Sequence, residues 1–382
     1  MMMTYSERIR RFQEALEGSA DLAFIPVSAD LQYLSGVPRD FPNYGALRYP
    51  GGWLEGLWLT AEVEPVLTLT RMTADFHNPD TSSLTARVLG DFEDPAKLVG
   101  DVLNGFHLQD KPRVAVGDLA HAETIVGLGK ILPGVKYSSA TELLRPQRMI
   151  KDDEELALMK RAGEITEAAF VDVLTKLQHG MKEMDILSEV DYQLRRHGGF
   201  GPSFTSAVYC VGPEHEIVFG GHQSTWQREL HPPVSILFDF GAIHEGYCYD
   251  FGRTVVFGEP DEAITRVHEL VMASQAAGIK AMWAGQTTAA EVDAAARSVI
   301  EEAGLGEAFR HRLGHSIGLD VHEAPFLTQS DQTFLEQGML FTVEPSIIIE
   351  NKLSARVEDV VLVGEEGGEP LTRGFQRLIV ID

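Results

Sequence analysis

The segment Ile236–Gly258, with the sequence ILFDFGAIHEGYCYDFGRTVVFG, decides how the second half of the chain is interpreted. Apolar residues alternate with other residues on either side of Asp239 and Asp250, a pattern typical of two β-strands. Gly241 and Gly246 indicate the turn between these strands. The segment is therefore predicted to form a hairpin that carries two acidic side chains.

These two aspartates lie in apolar surroundings, where an uncompensated charge is costly. Paired antiparallel strands can bring both carboxylates to one point, and a bound cation would compensate them there. A purely structural alternative pairs one aspartate with Arg253 and uses the other to cap the turn. The hairpin alone does not distinguish these two interpretations.

Three later segments also place an ionisable residue within an apolar run: RLGHSIGLDVHEAP (312–325), MLFTVEP (339–345) and ARVEDVVLV (355–363). They contribute one histidine and two glutamates. An oxygen-rich set with a single imidazole suits two divalent cations that share bridging carboxylates. A structural explanation would instead require five separate ion pairs. The candidate metal ligands are therefore Asp239, Asp250, His315, Glu344 and Glu358.

The order of these residues resembles the dinuclear metallopeptidases of the pita-bread fold, which include methionine aminopeptidase, aminopeptidase P, prolidase and the metal-free relative creatinase. The shared features are two aspartates eleven positions apart, a histidine in GH-x-x-G, a glutamate in EP and a glutamate in R-x-E-D. The resemblance extends from about Met149 to the end of the chain. The motif LGHSIGLDVHEAP and the presence of a large N-terminal region resemble the proline-specific branch of this family. All five ligand positions are filled, which disfavours creatinase.

The resemblance implies an α+β fold, in which residues 146–382 form a pita-bread catalytic domain. Residues 1–145 alternate helix-like and strand-like segments, which predicts a smaller α/β domain. In the family the equivalent domain supports dimerisation, so we expect a homodimer formed through this domain.

The resemblance also implies a role for each ligand. Asp239 would chelate one cation, His315 and Glu344 would hold the other, and Asp250 and Glu358 would bridge the two. The nucleophile would be a bridging hydroxide. Mn²⁺ is the expected metal, and Co²⁺ or Zn²⁺ would fit the same ligands.

Further roles concern the substrate. Glu344 would also carry a proton during catalysis, while His222 and His322 would contact the substrate and the developing oxyanion. His322 follows the ligand histidine at the expected seven-residue interval, and His215 is an alternative to His222. The motif EPSII (344–348) departs from the family's frequent EPG-x-Y, so that Ile348 replaces a tyrosine.

Two arginines are candidates for binding the free carboxylate of a dipeptide, because a guanidinium can bind a carboxylate bidentately. Arg356 adjoins the ligand set, although the common glycine two positions before it is missing. Arg48 lies in the loop DFPNYGALRYPGGW (40–53), which is rich in aromatic residues, proline and glycine. The structural alternative pairs Arg48 with Asp40 or with an acid across a dimer contact.

The resemblance thus implies metal-dependent hydrolysis of Xaa-Pro dipeptides, the activity of a prolidase. Alternatives are an aminopeptidase P that acts on longer Xaa-Pro peptides, a non-peptidase amidohydrolase on the same fold, and a binding protein that has lost catalysis. The complete ligand set counts against the last, because a protein without catalysis has no reason to keep buried acids together.

Composition excludes other classes of partner. The 382 residues carry a formal net charge of −25, which would repel nucleic acid and anionic membrane surfaces. The N-terminal sequence has no apolar signal core, and no run of about 18 apolar residues occurs. The two cysteines, Cys210 and Cys248, form no CxxC motif, so no disulfide framework is implied. We expect a cytoplasmic protein.

Overall fold

The computed structural model describes residues 3–39, 51–77, 84–217, 225–350, 352–372 and 374–381. The chain divides into two compact units, Met1–Arg148 and Met149–Asp382. Across the described ranges, no helix combines the length and the apolar character needed to cross a membrane.

The first unit is built on a six-stranded sheet of order β4-β3-β2-β1-β5-β6. Its strands are β1 Leu22–Pro26, β2 Gly56–Leu59, β3 Val66–Thr70, β4 Thr85–Leu89, β5 Arg113–Val116 and β6 Lys136–Ser139. The pairs β1–β5, β5–β6 and β3–β4 are parallel, whereas β1–β2 and β2–β3 are antiparallel. Parallel neighbours separated by helices confirm the predicted α/β architecture of this region.

The α-helices that the structure describes around this sheet are α1 Tyr5–Leu16, α2 Ala29–Ser35, α3 Arg71–His77, α4 Pro95–Asn104, α5 Ala122–Ile131 and α6 Ala140–Met149. A capping box starts α1, because the Thr4 side chain accepts a bond from the backbone N–H of Glu7 and the Glu7 carboxylate accepts one from that of Thr4. The helix then buries Phe12 and Leu16 on one face.

The second unit contains a larger sheet of ten strands, with the path β14-β13-β15-β17-β12-β9-β8. Strands β16 and β18 pair with β17, and β19 pairs with β12. The strands of this sheet are β8 Ala207–Val211, β9 Val234–Phe240, β12 Phe251–Phe257, β13 Gly314–Ser316, β14 Glu323–Leu327, β15 Leu340–Val343, β16 Ser346–Ile349, β17 Leu353–Val363, β18 Gly368–Pro370 and β19 Ile379–Ile381. A three-stranded sheet is formed by β7 Gly201–Pro202, β10 Ala242–His244 and β11 Tyr247–Cys248.

Within the described part of the second unit the α-helices are α7 Asp153–Leu174, α8 Glu183–Arg196, α9 Glu262–Ala281 and α10 Ala289–Glu302. The Asp152 side chain caps α7 and the Thr288 side chain caps α10. Gly278 brings α9 close to α10, because a Cβ added there would lie 3.2 Å from the Cβ of Ala296. The apolar faces of α9 and α10 join the core beneath β15 and β17.

The predicted hairpin is confirmed, since β9 and β12 pair antiparallel from Phe240–Phe251 to Val234–Phe257. Its connection is more elaborate than a turn, because β10 and β11 form a second, short hairpin between the two long strands. Gly246, with φ +86°, forms the tip of that short hairpin. Gly241 allows close backbone approach at its base, where an added Cβ would lie 1.7 Å from the carbonyl oxygen of Tyr249.

Candidate metal centre

Three adjacent strands place two of the predicted ligands in one row. Gly252 on β12 pairs with Asp239 on β9 at one side and with Glu358 on β17 at the other. Residues that pair directly across antiparallel strands project to the same face of a sheet. The carboxylates of Asp239 and Glu358 therefore flank a residue that has no side chain.

The other three predicted ligands come from neighbouring segments. Asp250 immediately precedes β12, Glu344 follows the last residue of β15, and His315 lies in β13. The backbone N–H of His315 donates to Oγ1 of Thr342, at 3.1 Å, which links β13 to β15 close to Glu344. Sheet pairing thus gathers residues that are as far as 119 positions apart in the sequence.

Distances show how close the donor atoms lie. Asp250, His315 and Glu358 each offer a ligand atom, and these three atoms lie within 4.8 Å of one another. Nε2 of His315 is 3.6 Å from Oδ2 of Asp250 and 3.6 Å from Oε1 of Glu344. Nδ1 of His315 lies 3.0 Å from the carbonyl oxygen of Ser316, which can only accept a hydrogen bond. The Nε2 lone pair therefore faces the carboxylates.

Burial leaves the carboxylates poorly compensated. Asp250, Glu344 and Glu358 are all buried, and Oδ1 of Asp250 and Oε2 of Glu358 have no hydrogen-bond partner among the described residues. Burial, together with the nearby charge of Asp239, holds the pKa of Asp250 well above its usual range. Burial also holds the pKa of Glu358 well above its usual range, with the charge of Asp250 adding to the effect.

Burial also shifts the pKa values of Glu344 and His315, in each case towards the neutral form. Burial raises the pKa of Glu344 to about 7, although the charges of Arg356 and His315 oppose the shift. Burial lowers the pKa of His315, which favours the neutral imidazole that can act as a ligand. Buried carboxylates with unpartnered oxygens beside a neutral imidazole fit divalent cations. The residues present are therefore suited to hold the metal ions that the sequence predicts.

Arg356 supplies a positive charge at the edge of this group. Its Nη1 lies 2.7 Å from Oδ2 of Asp239, 3.7 Å from Oε2 of Glu344 and 4.0 Å from Oε2 of Glu358. The single positive charge of Arg356 interacts with four carboxylates, those of Asp239, Glu344, Glu358 and Asp250. One guanidinium cannot neutralise four carboxylates, so the group can accommodate a further cation. Arg356, expected as a substrate-binding residue, thus contacts a predicted ligand directly.

Arg253 does not pair with either aspartate of the hairpin, so that structural alternative is wrong. Its Nη2 instead lies 2.6 Å from Oδ1 of Asp359, and both side chains are 1% exposed. The physical reason is strand alternation: Gly252 faces the predicted ligands, and the next residue along β12 faces the opposite side.

The predicted substrate residues fall in different places. His322 is exposed, and its ring centroid lies 4.3 Å from that of His315. His215 is buried, with Nε2 3.0 Å from the carbonyl oxygen of Glu229 and its ring 6.2 Å from that of His231. Two further predicted residues, His222 and Arg48, lie outside the described residues.

Two further residues, linked by hydrogen bonds to Arg356 beside the predicted ligands, were not predicted from the sequence. His311 and Ser346 form a hydrogen-bonded pair, with Nε2 2.8 Å from Oγ, and Ser346 Oγ lies 2.9 Å from Nε of Arg356. His311 lies in an irregular segment before β13, where side chains follow no regular period, so the sequence offered no signal for it.

The chain is similar to known peptidases in sequence and in fold. Residues 157–365 match metallopeptidase family M24. An Xaa-Pro dipeptidase from Lactobacillus delbrueckii subsp. lactis is 29% identical over 372 residues, covering 96% of this chain and 96% of the relative. A dipeptidase structure from Pyrococcus horikoshii OT3 has a TM-score of 0.85 at 30% identity, covering 98% of this chain and 100% of that chain. A prolidase structure from Thermococcus sibiricus has a TM-score of 0.86 at 26% identity and covers all of both chains.

These likenesses confirm the predicted pita-bread fold with a separate N-terminal domain. They also confirm that the protein is a metallopeptidase. The family match spans more than half of the chain and includes all five predicted ligands. The protein belongs to metallopeptidase family M24.

Proposed function

We propose that this metallopeptidase is a prolidase, which hydrolyses the imide bond of Xaa-Pro dipeptides with two divalent metal ions. The observation that carries the proposal is the convergence of Asp250, His315 and Glu358, whose donor atoms lie within 4.8 Å of one another in a buried site. The relatives named Xaa-Pro dipeptidase and prolidase support the substrate class.

In this proposal Asp239 would hold one metal ion, His315 and Glu344 would hold the other, and Asp250 and Glu358 would contribute to both. Mn²⁺ is the proposed metal, because carboxylate-rich sites suit it, and Co²⁺ or Zn²⁺ would fit the same donors. When bound, such ions polarise a peptide carbonyl and lower the pKa of a water molecule towards neutrality.

The side chains of the protein supply proton transfer. The nitrogen of an Xaa-Pro bond carries no hydrogen and must be protonated to leave. Glu344 is proposed to carry this proton, because its carboxyl is buried in the site, with Oε1 3.6 Å from Nε2 of His315. His322, whose exposed imidazole lies beside that of His315, is proposed to donate a hydrogen bond to the substrate. His222 is proposed for a similar contact.

Selectivity for dipeptides requires a positive group that binds the free carboxylate and disfavours a longer chain. Arg48 and Arg356 remain the two candidates. Arg356 already donates to Asp239 and to Ser346, so only part of its guanidinium is available. This division of its donors favours Arg48 for the substrate carboxylate.

The remaining proposals concern the setting of the enzyme. Residues 146–382 are proposed as the catalytic domain and residues 1–145 as the domain that mediates a homodimer. A cytoplasmic location is proposed because the two cysteines are buried free thiols, which suits a reducing compartment.

A hydrolysis assay tests the function. The protein is stripped of metal with EDTA, supplied with Mn²⁺, Co²⁺ or Zn²⁺, and offered Gly-Pro, Ala-Pro, Ala-Pro-Ala and Ala-Ala. We expect metal-dependent cleavage of Gly-Pro and Ala-Pro with slower cleavage of the other two. Faster cleavage of Ala-Pro-Ala would indicate an aminopeptidase P. No cleavage of any of these peptides with any metal would overturn the proposed peptidase activity.

A further inference from the structure

A chain of three hydrogen bonds links His311 to Asp239 at the edge of the candidate metal centre. Nε2 of His311 lies 2.8 Å from Oγ of Ser346, and Oγ of Ser346 lies 2.9 Å from Nε of Arg356. Nη1 of Arg356 then lies 2.7 Å from Oδ2 of Asp239. The chain therefore connects a residue outside the predicted ligand set to a residue within it.

The direction of each hydrogen bond follows from the groups involved. Nδ1 of His311 lies 2.7 Å from the carbonyl oxygen of Arg312, so Nδ1 carries the proton and Nε2 is an acceptor. The Ser346 hydroxyl donates to His311 in preference to the carbonyl oxygen of Glu344, which is more distant at 3.3 Å, and its oxygen accepts from Nε–H of Arg356. Burial and the charge of Arg356 lower the pKa of His311 to about 4, in agreement with a neutral imidazole.

Strand pairing fixes the central link. Ser346 on β16 pairs directly with Arg356 on β17, and Ser346 is completely buried. The Ser346 hydroxyl stands where the family's frequent EPG motif has glycine, which offers no hydroxyl. This oxygen is therefore a feature of this chain and not of the common motif.

The position of Arg356 affects the charge available to metal ions. Its Nη1 is 3.7 Å from Glu344 and 4.0 Å from Glu358, so a small rotation would bring it onto either carboxylate. A guanidinium on these oxygens would compete with a divalent cation for the same donors. Ser346 opposes that rotation by holding Nε while Asp239 holds Nη1.

We propose that Ser346, oriented by His311, is a positioning residue that anchors the Arg356 guanidinium on Asp239 and keeps it from occupying Glu344 and Glu358. This inference rests on the metal binding proposed above. It assigns to Ser346 an effect on metal affinity that operates only through Arg356.

A double-mutant cycle on the metal-stripped full-length protein tests this, with Mn²⁺ affinity measured by isothermal titration calorimetry. Ser346→Ala is expected to raise the Kd for Mn²⁺ about tenfold, which corresponds to about 1.4 kcal/mol. In the Arg356→Gln background the same substitution is expected to change the Kd less than about twofold, because the competing guanidinium is gone. His311→Leu is expected to reproduce part of the effect of Ser346→Ala.

Thermal unfolding of the metal-free variants shows whether each is folded, so that a rise in the Kd is not mistaken for misfolding. Ser346→Gly provides a second variant that lacks the hydroxyl. An equal rise of the Kd in both backgrounds would mean that Ser346 supports the site by packing alone and would overturn the proposal. An unchanged Kd in the single variants would overturn it as well. If the wild-type protein bound no Mn²⁺, the proposed metal-dependent function would fail and the proposal would fall with it.

Discussion

Gly252 faces Glu358 across the β12–β17 pair, and a Cβ added to Gly252 would lie 2.8 Å from Oε2 of Glu358 and 3.0 Å from its Cβ. Contacts this short require one of the groups to move. The glycine thus provides the space that the Glu358 carboxylate occupies beside Asp250 and His315. A backbone position on one strand therefore controls the placement of a predicted ligand on the next.

We predict that Gly252→Ala weakens metal binding without unfolding the protein. The new methyl group would displace the Glu358 carboxylate, which is buried and has few alternative positions. The Kd for Mn²⁺ should rise about tenfold, as expected when a predicted ligand loses its preferred position. Isothermal titration calorimetry of the metal-stripped protein measures this change.

Gly100→Ala is the matched control. Gly100 lies in α4, and no atom approaches within 4 Å of a Cβ added there. Its replacement should leave the Kd for Mn²⁺ unchanged and slightly stabilise the helix. Equal affinities for the two variants would show that Gly252 does not position Glu358.

Asp250→Asn is predicted to abolish hydrolysis of Ala-Pro and to lower the metal content per chain. The reason is that Asp250 is proposed to contact both ions, so that an amide in its place removes an anionic donor from each. Elemental analysis of the purified variant and a rate measurement check this. Metal content and rate like those of the wild type would contradict the dinuclear proposal.

Asp293→Asn serves as the control for losing a buried carboxylate elsewhere in the same unit. Asp293 is completely buried and forms a salt bridge to Arg297, with Nε 2.8 Å from Oδ2. Its replacement should cost about 3–5 kcal/mol in the free energy of unfolding, because it removes the carboxylate that pairs with Arg297 and leaves that charge only its bonds to the carbonyl oxygens of Phe309 and His311. The metal content of the folded variant should not change.

The two neighbouring histidines are predicted to differ in their effects. His315→Ala should lose metal, because the Nε2 lone pair of His315 faces the carboxylates. His322→Ala should retain its metal and lose about two to four powers of ten in kcat/KM, the range expected for proton-transfer or oxyanion partners. A His322→Ala enzyme as active as the wild type would show that its expected role is wrong.

Periodicity made much of the second unit predictable. The alternation around Asp239 and Asp250 predicted the long strands β9 and β12, although both strands are buried on both faces in the structure. Ionisable residues within apolar runs indicated the ligand set, since burial of a charge needs compensation. The short hairpin β10–β11 escaped prediction because strands of two or three residues show no period.

The contacts between side chains on neighbouring strands could not be predicted from the sequence, because they depend on the register of strand pairing. That Arg356 reaches Asp239, and that Gly252 lies between Asp239 and Glu358, depends on which residues pair across three strands. A shift of one residue would turn every side chain to the other face. The same argument explains why the suggested pairing of Arg253 with an aspartate of the hairpin is wrong. Its partner, Asp359, lies on β17, and the sequence of β12 does not show which residue of β17 it meets.

The last prediction concerns stability away from the metal centre. His268 lies in α9 and is 3% exposed. Burial, with a smaller contribution from the charge of Arg253, lowers the pKa of His268 from 6.5 to about 4. The unfolded chain therefore binds a proton at this histidine below pH 6.5, whereas the folded chain does not until the pH approaches 4.

The contribution of His268 to the free energy of unfolding is thus complete above pH 6.5 and falls as the pH drops towards 4. Between pH 7.5 and pH 5 the loss should be about 2 kcal/mol. His268→Gln removes the titrating group, so its free energy of unfolding should fall less over this interval. Urea unfolding of both metal-free proteins at pH 7.5, 6 and 5 measures the difference. Parallel pH dependences would show that His268 is protonated as readily in the folded chain as in the unfolded one.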